Sequence, residues 1–189
     1  GDPHTKLFQE EKERPVLILV DQSASMFFGS QVTFKSVLAA RTAALIAWSM
    51  LDRGYRAGGF IFSEQGQREI RPRRNKHAVL RLLNELNEFN HQLNREAATR
   101  PATYSNNYFT EALANVRRVT KHGSVIFVIS DFANFSEESR IHFQPLARHN
   151  ELIGIPISDP LEQSLPRPDL YTITDGVQRS RINTASRKH

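Results

Sequence analysis

The chain has 189 residues, with 25 Lys and Arg against 20 Asp and Glu and a formal charge of +5. That length suits one domain with a sizeable core, and the basic balance favours acidic partners or surfaces without identifying one. Cysteine is absent, which excludes disulfides and thiolate metal sites, and no apolar run approaches a membrane span or a signal segment. A reducing cytosol is permitted, so the expected setting of this fragment is cytoplasmic, with no membrane contact of its own.

Gly1 to Arg14 is polar, charged and without periodicity, an N-terminal extension that reads as a linker or as the cleavage scar of an excised piece. The domain proper is expected over residues 15–176 and a flexible tail over 177–189. Within Pro15 to Met26, PVLILVDQSASM, the run Val16 to Val20 lacks polar alternation and predicts a strand buried on both faces. Asp21, Ser23 and Ser25 follow it, three hard oxygen donors at period-two spacing where strand gives way to loop. Such donors suit Mg²⁺ or Mn²⁺; the same residues also serve as ordinary turn and helix caps. A helix is predicted from Thr33 to Asp52, with Val37, Ala40, Ala44, Trp48 and Leu51 inward and Trp48 in the core.

Tyr55 to Ser63 reads as a second strand and Gln67 to Arg71 as a short third one, with Ser63-Glu64 at a strand end or in a plain turn. Arg71, Arg73, Arg74 and Lys76 form the strongest basic cluster, either a solvated face or a partner-binding patch, without the interleaved aromatics that stack on bases. Val79, Leu82, Leu83, Leu86, Phe89 and Leu93 mark an amphipathic helix, followed by a polar, loose stretch from Asn90 to Pro101. Another helix is predicted from Phe109 to Lys121. Ser124 to Ser130 is a second wholly apolar strand, and it too ends on an acid, Asp131. Two parallel strands of this kind side by side bring Asp21 and Asp131 together in the crevice beyond their carboxyl ends. Ser136 opens a helix, Leu152 to Ser158 is a fifth strand, Asp159-Pro160 is a turn, and Asp169 to Thr174 is a last edge strand.

The paired strand-end acids with DQSAS resemble the metal-ion-dependent adhesion site of von Willebrand factor A domains. The longer text, including HTKLFQEEKERPVLILVDQSASMFFGS, FKSVLAARTAALIAWSML, REIRPRRNKHAVLRLLNELNEFN and GSVIFVISDF, resembles one bacterial branch of them, the domain-of-unknown-function 58 family, from about His4 to Gly176. The resemblance implies a metal-dependent interaction domain that works with a MoxR-type AAA+ ATPase, in a parent protein with further membrane-anchored segments. In von Willebrand A domains a Thr of the third loop contacts the ion; aligning on Ala112-Leu113 puts Asn107 there, where it, or Ser105, also suits a helix N-cap.

Alternation of strands and helices predicts a three-layer α/β/α sandwich, mostly parallel, with one short antiparallel edge strand. Enzyme readings fail on their own motifs. A haloacid-dehalogenase phosphatase needs an acid where Ser23 stands, and G-x-x-x-x-G-K-[ST] and G-x-S-x-G are missing. The expected function is therefore non-catalytic: Asp21, Ser23, Ser25, Asn107 and Asp131 hold Mg²⁺ or Mn²⁺, weakly in the free domain, and a partner protein's acid completes the coordination. The alternatives are a metal-dependent phosphate-ester hydrolase and a charge-driven nucleic-acid binder.

Overall fold

Burying every side chain of a five-residue apolar run requires a packed layer on each face of its sheet. The computed structural model, which describes residues 14–96, 107–163, 170–174 and 179–183, supplies both layers. The elements run β1 (Pro15–Asp21), a 3-10 turn (Ala24–Met26), α1 (Lys35–Asp52), β2 (Arg56–Ser63), β3 (Gly66–Arg73), α2 (Lys76–Glu96) and α3 (Tyr108–Val119). They continue with β4 (Val125–Ser130), α4 (Glu137–His149), β5 (Glu151–Pro156), α5 (Pro160–Gln163), β6 (Leu170–Thr174) and β7 (Arg179–Asn183).

The main sheet has the order β3-β2-β1-β4-β5 and is parallel except where β3 pairs with β2 at the edge. Val16, Ile18 and Val20 of central β1 point to one face, where they meet Ala39, Ala43 and Ala47 of α1 and Val79, Leu82 and Leu86 of α2. Leu17 and Leu19 point to the other, against Phe109 and Leu113 of α3 and Leu146 of α4. Each of these side chains, the alanines aside, contributes roughly 2 kcal/mol by leaving water, so β1 is the axis of both half-cores. The three-layer α/β/α fold expected from the sequence, mostly parallel with one antiparallel edge strand, is the one observed.

Four expectations change. The inward stripe of α1 is Ala39, Ala43 and Ala47, whereas Trp48 is 36% exposed and Leu45 73%. Apolar residues lie on more than one side of this helix, so spacing alone could not choose a face, and the smallest side chains allow the closest approach to the sheet. Residues from Asn90 to Glu96, read as loose, extend α2 instead. β6 pairs antiparallel with β7 in a separate two-stranded sheet and does not add an edge to the main one. Arg179–Asn183, read as tail, is therefore a strand. The polar text of β7 hid it, although the Asp175-Gly176 pair before it is a hairpin signal.

Gly58 is required by the edge. A β-bulge lies opposite Ala57 and Gly59, and a Cβ on Gly58 would stand 2.4 Å from the Ile70 carbonyl oxygen and 2.5 Å from the Pro72 nitrogen. Because backbone cannot yield as a side chain can, Gly58→Ala is expected to lower stability by about 2 kcal/mol in urea unfolding. Gly154→Ala, whose new methyl would meet only the Phe132 ring at 3.6 Å, is expected to stay within about 0.5 kcal/mol.

Candidate metal centre

β1 and β4 lie side by side with Val20 level with Ile129, so both strands leave the sheet at the same end. Asp21, 1% exposed, accepts hydrogen bonds from the Ser23 amide at 2.9 Å and from the Ser130 hydroxyl at 2.6 Å. Ser130 thereby ties the two strand ends together, and its oxygen also accepts from the Phe132 amide at 2.9 Å. The loop after Asp21 is pinned by Gln22, wholly buried, whose amide group donates to the Asp21 and Ser36 carbonyls and whose oxygen accepts from Asn90. Both carboxylate oxygens of Glu64 accept from the Ala24 amide, at 3.0 and 3.1 Å.

The Ser23 and Ser25 hydroxyl oxygens are 3.3 Å apart. Asp131 accepts from the Ala133 amide at 3.0 Å and from the Lys35 ammonium at 2.8 Å, and the Ser25 hydroxyl also bonds it. Tyr108, buried at the start of α3, reaches the same place: its phenol interacts with Ser23 and lies within the field of Asp21, Glu64 and Asp131. Asp21, Ser23, Ser25 and Asp131 are thus brought together.

Burial pushes the Asp21 carboxyl up to about 6, against the hydrogen bonds from Ser130 and Ser23, and the Asp131 charge adds to the rise. Burial also pushes Asp131 up, but its bond from Lys35 and the Ala133 amide prevail and hold it below the ordinary carboxylate range. For Lys35 burial works downward, and the two carboxylates at its ammonium, Asp131 and Glu162, outweigh it and raise the group. Tyr108 is held well above its usual range, first by burial and then by Asp21, so its phenol keeps its proton.

Asn107 is exposed at the N-cap of α3, and its side chain makes no capping hydrogen bond. Ser105 lies outside the described residues. The adjoining Tyr108 contacts the cluster through its phenol. Asp159 serves as a turn residue: it accepts from the Ser30 amide at 2.8 Å and hydroxyl, and from the Leu161 amide at 2.9 Å. Arg71, Arg73, Arg74 and Lys76 are exposed on edge strand β3 and the approach to α2. With Arg56 and Lys121, Arg71 and Arg73 line a cavity of about 480 Å³ at the amino end of β1, about 20 Å from Asp21 by strand rise.

The donors fit a hard divalent cation, since two carboxylates and two hydroxyls converge without nitrogen or sulfur ligands. Among the described residues no three His, Cys, Asp or Glu side chains form a site by themselves, so the serine hydroxyls are needed. The residues missed from sequence are Lys35, Glu162 and Tyr108. Lys35 carried one signal, a cation at the start of a helix, where the dipole disfavours it.

The family model described as "Protein of unknown function DUF58" matches residues 1–188. The chain belongs to that family. No match was found among the curated proteins. Among solved structures, this DUF58 domain is similar to manganese-loaded TRAP protein of Plasmodium vivax, at 16% identity and TM-score 0.48, covering 83% of this chain and 65% of that one. It is also similar to the SpRpn10 VWA domain, at 12% identity and TM-score 0.38, covering 81% of this chain and 96% of that one.

An ionised Asp21 is costly in the metal-free DUF58 domain. Its folded value of about 6 exceeds the unfolded 3.8, so the folded state binds more protons between the two and loses stability as pH rises through that window. The loss approaches about 3 kcal/mol at pH 8. In EDTA, Asp21→Asn is therefore expected to melt higher than wild type at pH 8 and to lose that advantage near pH 4, measured by calorimetric scans at both.

Proposed function

We propose that this domain is a non-catalytic, metal-dependent protein-interaction module. Asp21, Ser23, Ser25 and Asp131, with Asn107 at the third loop, hold Mg²⁺ or Mn²⁺, and an acidic residue of a partner protein binds over them. The partner is a MoxR-type AAA+ ATPase or its client, as the family resemblance implies. The observation that carries this reading is the convergence of four hard-oxygen side chains at the carboxyl ends of adjacent parallel strands.

Bound there, the ion would supply a centre of positive charge for a partner's carboxylate. The chain's own residues do the positioning. Ser130 and the Ser23 amide fix both oxygens of Asp21, Gln22 anchors the loop to α1 and α2, and Glu64 clamps the Ala24 amide. Tyr108 keeps its proton and presents a hydrogen-bonding phenol beside Ser23.

Binding of Mg²⁺ or Mn²⁺ to the folded state is expected to raise the melting temperature by a few degrees at about ten times the dissociation constant, near 1.4 kcal/mol. Asp21→Ala should abolish that response and Asp131→Ala should weaken it. Capture from lysate in Mg²⁺ and in EDTA tests the interaction: a partner retained equally in both, or by Asp21→Ala, sinks the proposal. Reversing Arg71, Arg73, Arg74 and Lys76 to Glu is expected to leave the fold intact, by circular dichroism, and the metal response unchanged, because the cluster stands at the other end of the sheet.

A further inference from the structure

The four-residue cluster includes a cation already. Lys35 is the first residue of α1, its side chain is 3% exposed, and its ammonium lies 2.8 Å from the Asp131 carboxylate. Two terms oppose that placement: the amino end of a helix is electropositive, and a buried ammonium forfeits its hydration. Asp131 on one side and Glu162 on the other offset them. The two partners differ. Asp131 is 7% exposed and belongs to the donor set, whereas Glu162 is 40% exposed, on short α5, and bonds the Asp159 amide at 3.0 Å.

We propose that Lys35 is the resident cation of this cluster and sets its affinity for divalent ions, because ammonium and metal compete for Asp131. The proposal rests on reading Asp21, Ser23, Ser25 and Asp131 as a cation site. A divalent ion entering beside Asp131 meets a positive charge within a few ångströms, in a place where little water screens it. Glu162 moderates the competition by holding the ammonium when Asp131 is engaged elsewhere. Lys35 therefore weakens metal binding, and Glu162 restores part of it. With Asp131 engaged by a metal, the ammonium keeps its existing bond to Glu162, which links the site to the surface of α5.

Calorimetric titration of the metal-free domain with MnCl₂ tests this in wild type, Lys35→Met, Lys35→Arg and Glu162→Gln. Lys35→Met is expected to bind Mn²⁺ about tenfold tighter or more, Lys35→Arg to stay near wild type, and Glu162→Gln to bind about threefold weaker or more. Lys35→Met leaves Asp131 buried without a cation and should be less stable before metal is added, so surface variant Glu162→Gln tests the idea independently. Unchanged or weaker binding in Lys35→Met, or unchanged or tighter binding in Glu162→Gln, with wild type binding Mn²⁺, overturns the competition and leaves the cation site standing. If wild type and all three variants ignore Mn²⁺ by heat and by melting temperature, the cation-site reading itself falls.

Discussion

The hydrogen bond from Ser130 to Asp21 is the constraint on which the site depends. It can form only because β4 runs parallel to β1 with Val20 opposite Ile129, and that pairing is set by apolar runs that must be covered on both faces. Once the strands are paired, the residues leaving them are neighbours whatever else they do. Asp131 follows Ser130 by one position, and Ser23 and Ser25 return over Asp21 through a short turn whose Met26 is fully buried. Packing of the two half-cores is thus converted into a convergence of polar groups, with no requirement that those groups attract one another.

Hydrogen bonds from the serines hold some of these groups together, but the carboxylates repel one another. Asp21, Glu64, Asp131, Asp159 and Glu162 all gather at this end, and the ammonium of Lys35 contacts two of them. Burial raises Asp21, as expected of a carboxylate whose charge is incompletely compensated. Phe132 adds strain at the same corner, with a φ of 56° that a bulky aromatic rarely adopts. Its amide is held by the Ser130 hydroxyl, and its ring packs at 6.2 Å from that of Phe109, so the core imposes the turn that aims Asp131.

Much of this was legible in the text of the chain. Continuous apolar runs ending in acids gave away β1, β4 and the pair Asp21 and Asp131, because a doubly buried strand has a composition that few other elements share. The face of α1 was not legible, since apolar residues lie on more than one side of it and close approach selected the alanines. Lys35 and Glu162 were hidden for a different reason. Their significance lies in a contact across 127 residues of sequence, and a lone Lys or Glu beside a helix end reads as an ordinary solvated charge. Tyr108, next to the expected ligand Asn107, was missed because an aromatic opening a helix reads as a core residue.

The placement of charge bears on how a partner could be recognised. A formal +5 suggests an attraction for acids, yet the cationic side chains Arg56, Arg71, Arg73 and Lys121 line the amino end of the sheet. At the carboxyl end the local field is negative. An acidic residue approaching Asp21 and Asp131 is repelled there, and net charge cannot rescue it across about 20 Å of sheet, about two Debye lengths at physiological salt. Only a cation lodged among these side chains can reverse the sign where contact would be made. Lys35 supplies one such charge, but it is buried and already engaged by Asp131 and Glu162. Under the proposed function, an added divalent ion is what would make this end of the sheet attractive to a partner's acid.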